Sequence, residues 1–477
     1  MLRLRADGLT SQYDLDGAEA DANESMRLAS RAGDQTAVAR AQLVLGEIQQ
    51  HRADVVGSLG VLEDARRRFR DAGDAAGEAQ ALRQIGMTHV FANDFDAADD
   101  ALGQALARFE ELGDARNAAW ARQNLSWSAY ISGRVDEAEA RVLEAMATFE
   151  ELGDPGGLTW SRGLLAWVRF HQGKDDEALE LASVVGADAH ERGETWGEAM
   201  MVVLTGSISL WSGRPDRAIE SLTRASELFD EIDDAFGTLQ ARCNLARALC
   251  MQGDLAAGLR ALDEARADDP ATPEDGVMNF VRVTTLALAV QLGDVEMGHD
   301  ALGGTHQVGA DVVGGADQQV ASAMHALQCG ERDVARAAIA AVNEERGYVS
   351  AGRALVAAVA GEPSAAINEA ERITDVPHTY LDLTYGRIAQ AIAHVRSGSV
   401  ADARTTLSVA LEAVDATGDR IAQALVRLAD AVVAESDGRA DADTARRVAE
   451  ERLATLGISA DGWRAMLGDA LGVAAAV

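Results

Sequence analysis

The sequence predicts an all-α chain, an α-solenoid of about twelve antiparallel helical hairpins, and three observations carry that prediction. The first is composition: hydrophobic residues reach 48%, largely Ala and Leu, while aromatics are 4% and prolines number six. Ala and Leu lose least on entering a helix. The second and third are two turn markers, each recurring at a fixed interval of forty positions and offset from one another by half that period. A chain of 477 residues is also too long for one ordinary core, so an elongated repeat array is expected.

The joints come first along the chain. Ala32-Gly33-Asp34, Ala72-Gly73-Asp74, Leu112-Gly113-Asp114 and Leu152-Gly153-Asp154 follow one another at that interval, and Arg192-Gly193-Glu194 and Ile232-Asp233-Asp234 continue the register. Gly supplies the left-handed conformation that ends a helix, and the Asp after it accepts from the free amides of the next. Within each hairpin a tight turn follows at Gly133, Gly173, Gly213, Gly253 and Gly293, and the register places earlier turns near positions 53 and 93. Seven residues before each turn stands a small residue, Gly46, Gly86, Ser126, Ala166, Gly206 or Ala246. Five after it stands Ala98, Ala138, Ala178 or Ala218. Two helices cross closely only where side chains are small.

After Gly293 the turns recur at Gly330, Gly361, Gly398 and Gly438, so the spacing becomes irregular. Two stretches interrupt the array: Asp268 to Gly276, with two prolines, reads as a lengthened joint, and the Gly-rich run Gly303 to Gly315 as a loop. The expected organisation is a regular array over 1–268, an irregular joint and loop over 269–316, less regular hairpins over 317–459 and a capping helix over 460–477. In the last, Trp463 and Leu467 share the apolar side. The first hairpin has room for only part of its first helix, which suggests a piece of a longer protein or a shortened start.

The order small residue, Gly turn, Ala resembles the tetratricopeptide repeat in a forty-residue form over nearly the whole chain. That resemblance implies a right-handed superhelix. Trp120-Ala121-Arg122-Gln123-Asn124-Leu125-Ser126 and Phe149-Glu150-Glu151-Leu152-Gly153-Asp154 are similar to the repeat arms of ATP-dependent transcriptional regulators and related signalling ATPases of GC-rich bacteria. In that family the arm binds a ligand or protein and controls an attached domain. Here neither a GxxxxGK[ST] phosphate loop nor a helix-turn-helix is recognisable.

Catalysis and metals find no motif. The nine His are scattered without HExxH or an i, i+4 His pair, no GxSxG occurs, and no CxxC exists among Cys243, Cys250 and Cys329. His299 and His306 read as ordinary loop histidines, and Asp94, Asp96, Asp99 and Asp100 as turn and cap residues rather than a calcium loop. No metal, no cofactor and no enzymatic activity are expected. The net charge of −34 repels nucleic acid and anionic membranes. With no signal pattern and no apolar run of membrane length, a cytoplasmic location is expected.

In the tetratricopeptide family five positions of each first helix point into a concave groove. Counting back thirteen, ten, six, three and two positions from each turn transfers them here. They carry Met87 and Phe91, then Trp120, Gln123, Trp127 and Tyr130, then Trp160, Trp167, Phe170 and His171, with Trp211 further on. Arg40, Arg83 and Arg247 stand at the edges, able to pair with a carboxylate. Large rings with few rotatable bonds make anchor sites, but the same rings serve equally to pack one hairpin on the next. The expected function is a ligand- or protein-binding module, the sensor arm of a bacterial regulator. It would take a peptide, a protein segment or a small amphipathic molecule. The alternative is a passive scaffold in a larger assembly.

Overall fold

The computed structural model describes residues 2–3, 14–52, 54–267, 280–303 and 315–472. The turn expected at position 53, the joint 268–276, the interior of the Gly-rich run and His306 therefore lie outside the described residues. Among the described residues there are 24 α-helices and no strand. None is long and apolar enough to cross a membrane. The helices divide into two compact units, one of residues 1–201 and 228–234, the other of 202–227 and 235–477.

The first unit holds α1 (Leu15–Ala32), α2 (Gln35–His51), α3 (Val55–Ala72), α4 (Ala75–Phe91), α5 (Phe95–Glu111), α6 (Ala115–Ile131), α7 (Val135–Leu152), α8 (Pro155–His171) and α9 (Asp175–Arg192). The unit boundary passes through α10 (Thr195–Trp211) and α11 (Pro215–Glu231). Helices α2/α3, α4/α5, α6/α7 and α8/α9 are antiparallel hairpins of tetratricopeptide type, and their first helices also touch in series, α2 to α4 to α6 to α8.

Three consecutive joints each use one Asp twice. At the first, the Asp74 N–H donates to Phe69 O at 2.9 Å, closing α3, while its carboxylate accepts from Gly77 N at 2.9 Å, opening α4. Asp114 and Asp154 repeat both bonds, with Phe109 and Phe149 as the carbonyl partners. Gly73, at φ 70°, supplies the left-handed residue in between. Phe69, Phe109 and Phe149 are fully buried, and an added methyl on Gly77 or Gly157 would strike the ring behind it.

The small residues within hairpins are where the helices cross. A Cβ on Gly86 would stand 2.5 Å from Leu102 Cγ and 3.2 Å from Ala98 O. At the equivalent crossings Ser126 Oγ donates to Ala138 O at 2.6 Å, and Ser58 Oγ to Gly46 O at 2.9 Å. The turns follow with positive φ at Asn93, Gly133 and Gly173.

The second unit continues with α12 (Ala235–Gln252), α13 (Leu255–Ala267), α14 (Phe280–Leu292), α15 (Val295–Leu302), α16 (Gly315–Gln328), α17 (Arg332–Ala340), α18 (Gly347–Ala360) and α19 (Pro363–Arg372). It ends with α20 (Tyr380–Arg396), α21 (Val400–Asp415), α22 (Arg420–Ser436), α23 (Ala442–Leu456) and α24 (Asp461–Leu471). Its first helices pack in series too, but α12 also touches α22, so the series meets itself. Helix α24 lies against α16, α18, α20 and α22, and its Trp463 is buried, stacked on Tyr385 at 5.6 Å and donating to Val290 O at 2.8 Å.

Replacing Gly86 by Ala should cost about 1–3 kcal/mol by overpacking the crossing. Gly60, exposed in α3 with nothing within 4 Å of an added Cβ, is the control. Gly60→Ala should stabilise by about 0.5–1 kcal/mol. Urea melts of both variants check the pair, and equal midpoints would show the helix register to be wrong.

Candidate functional site

The first-helix face of the first unit gathers most of the aromatic residues singled out by position. On α4, half-buried Met87 joins Trp127 and Ile131 around Val90, Ala98, Leu102 and Leu125, while Phe91 at the helix end is 44% exposed. On α6, Trp120 meets Phe149 edge-on at 5.2 Å and Trp127 lies 6.0 Å from Tyr130. Tyr130 is only 5% exposed, and its hydroxyl lies 3.0 Å from His171 Nδ1 of α8. The two rings are perpendicular.

On α8 the residues divide sharply. Trp167 is 8% exposed and edge-on to Phe170, which in turn meets His171 at 6.0 Å. Trp160 is 47% exposed and stacks on Trp196 of α10 at 5.1 Å and 20°. Trp196 is fixed by its indole N–H to Asp234 at 3.0 Å. Tyr130 and Trp167 are thus packed by the protein's own rings, whereas Trp160 and Phe91 present large apolar surface outward.

Beside these rings, α2 and α4 wall a cavity of about 370 Å³ lined by Arg3, Arg40, Glu47, Asp74, Gln80, Arg83 and Gln84, with apolar Leu43 and Val44. Arg40 pairs with Asp74 at 3.3 Å. Arg83 donates through Nη1 to Asn124 Oδ1 at 2.9 Å, and Asn124 donates to Gln123 Oε1 at 3.0 Å. Gln123 is 4% exposed, so it acts on the cavity through Asn124 and Arg83. Burial pushes the Arg83 guanidinium below its ordinary range, against the opposing pull of Glu47. Arg83 Nε, Gln84 Oε1 and, further along, Trp167 Nε1 are buried without a hydrogen-bond partner.

Trp211 and Arg247 belong to the second unit, where the Arg247 guanidinium sits 4.4 Å above the Trp211 ring. Trp211 packs with Tyr380 against Leu210, Leu222 and Met251. Tyr380 donates to the buried Asp419 carboxylate at 2.7 Å, and burial raises the Asp419 carboxyl above its usual range. Cys243 and Cys250 are free and buried. Burial moves the Cys250 thiol up to about 12, which keeps it protonated and unreactive.

Position counting placed Arg40 and Arg83 of the cavity wall and missed Trp196, Gln84 and Asn124. Gln84 and Asn124 stand one full repeat apart, each nine positions before its turn. Two long polar side chains at one repeat position were the available signal.

No protein-family model and no curated protein matches the chain. Among solved structures it is similar to a Rap protein complexed with competence and sporulation factor (TM-score 0.47, 13% identity, covering 84% of this chain and 98% of that one). It is similar also to the Rap conjugation gene regulator of plasmid pLS20 in complex with the Phr* peptide (0.45, 13%, 66% and 80%). A third is the apo quorum sensor NprR from B. thuringiensis (0.38, 12%, 86% and 97%). With every one of these TM-scores below 0.5, the reading of the site rests on the chain's own geometry.

Trp167→Ala should cost about 3–5 kcal/mol, as for a buried ring. Trp160→Ala should cost only about 1 kcal/mol, the worth of one stacked pair. Denaturant midpoints of the two variants check this, and equal losses would mean that Trp160 is core.

Proposed function

We propose that the chain binds a peptide or an extended protein segment along the first-helix face of its first unit. The observation that carries this reading is the cavity between α2 and α4, whose lining includes Arg83 and Gln84, two side chains that each keep a buried polar atom, Arg83 Nε and Gln84 Oε1, without a hydrogen-bond partner. Leaving such groups unsatisfied costs about 1–3 kcal/mol each. A peptide backbone offers a carbonyl to the first and an N–H to the second, and a carboxylate suits the arginines lining the wall.

The exposed rings extend the same surface. From α2 to α8 are three helix-to-helix steps of about 10 Å, which an extended peptide of about nine residues spans at roughly 3.3 Å per residue. Phe91 and Trp160 would take apolar side chains, with Met87, Trp120, Trp127 and Phe170 as the half-buried floor. Tyr130, His171, Trp167 and Gln123 hold that floor in place. Binding rather than catalysis is the role this supports. The similarity of Trp120–Ser126 to regulator arms favours a sensor whose occupancy is passed to an attached or associated domain.

Selection from a library of random linear peptides on the full chain tests the reading. Enriched peptides should carry bulky apolar residues. Phe91→Ala and Trp160→Ala should each weaken them by about 2 kcal/mol, with little change in unfolding midpoint. Enrichment that survives both substitutions, or no enrichment at all, would reject the site.

A further inference from the structure

A different cluster in the second unit has the geometry of a metal centre. His325 lies near the end of α16, and Cys329 one helical turn on. The Cys329 N–H still donates to His325 O at 3.0 Å, so both side chains share a face. His299 approaches from α15. Its ring lies 5.0 Å from that of His325 and nearly perpendicular to it. Both imidazoles turn Nε2 toward the thiol, at 3.5 Å for His325 and 3.9 Å for His299. One donor atom from each of the three residues lies within 4.8 Å of the others.

A tetrahedral ion with bonds of about 2.0–2.1 Å to nitrogen and 2.3 Å to sulfur needs donors about 3.3–3.6 Å apart. The two sulfur–nitrogen separations are within a few tenths of an ångström of that requirement, and all three donor atoms lie within 4.8 Å of one another. The site is also built into the backbone. Gly298, buried in the middle of the eight-residue α15, lies flush against His325, and a methyl group there would collide with the imidazole. Glycine inside a helix costs about 1 kcal/mol relative to Ala, and here it makes room for the ring.

We propose that His299, His325 and Cys329 bind a zinc-class ion, leaving a fourth position for water or an incoming donor. Two imidazoles and a thiolate select a borderline-soft ion over Mg²⁺ or Ca²⁺, which take oxygen ligands. Burial, aided by the neighbouring His299, holds His325 toward the neutral form that ligates. Burial and Glu331 keep the Cys329 thiol protonated without an ion. Binding therefore replaces the S–H bond by an S–metal bond and releases one proton to water, with no change of oxidation state. The ion joins α15 to α16. His325 and Cys329 stand at the i, i+4 spacing of a helical ligand pair, but the third donor, His299, is remote along the chain and only the fold brings it near them.

The test uses the full chain without a histidine tag, stripped with chelator and titrated with Zn²⁺, and separately with Co²⁺ as a spectroscopic probe. One Zn²⁺ per chain is expected, together with tetrahedral cobalt bands and a thiolate-to-cobalt charge-transfer band. Cys329→Ser should abolish the charge-transfer band and weaken Zn²⁺ by roughly 100-fold, and His299→Ala by at least about tenfold. His299 is exposed, so that variant keeps its helical circular dichroism whatever the outcome at the buried positions. Gly298→Ala should also weaken the ion by displacing His325. No stoichiometric binding, or binding of equal strength in Cys329→Ser and His299→Ala, would overturn the proposal.

Discussion

The regular part of this protein depends on a helix joint in which a single aspartate serves two helices. The Asp74 N–H closes one helix and its carboxylate opens the next, with Gly73 supplying the reversal and Phe69 filling the space beneath. Every free amide and carbonyl at such a joint that finds a partner removes a cost of about 1–3 kcal/mol. Because Asp114 and Asp154 repeat the arrangement, each first helix starts at the same point of the repeat. Each also leans on its hairpin partner at one small residue. A side chain's place on the first-helix face is therefore fixed by its distance from the nearest joint.

That constraint explains both what sequence could tell and what it could not. Gly-Asp joints and small crossing residues are local chemistry with a fixed period, so the hairpins and their turns were legible from Gly33 to Gly253. Exposure is not local. Phe69, Phe109 and Phe149 recur once per repeat and are core, while Trp120 and Trp160 recur at the same interval and differ in exposure. Trp120 finds Phe149 across its hairpin. The equivalent contact for Trp160 would be with position 189, which is Ala189, and its ring stacks on Trp196 instead. Periodicity places a ring on a face, and only the neighbour decides whether the ring is covered.

The second unit shows the other outcome of the same pattern. There the first helices pack on one another, and α12 meets α22. Helix α24 adds Trp463 to the interior beside Tyr385. Tyr385 is an inward position by count, yet it is buried, with burial holding its hydroxyl well above the ordinary range. Irregular spacing from Gly293 onward accompanies this packing, and the second helices α15, α17 and α19 are shortened there. The His299, His325 and Cys329 cluster arises in that irregular part, from two helices whose sequences carry no shared motif.

The central claim is that the first-helix face of the first unit, and not the outer helices, receives an extended peptide. Photocrosslinking measures this most directly: a peptide recovered on the full chain would carry a benzophenone at successive positions, and adducts would be mapped by mass spectrometry. The account predicts adducts that step from α2 through α4 and α6 to α8 as the probe moves along the peptide. Adducts confined to α3, α5, α7 and α9, or to the second unit, would contradict it.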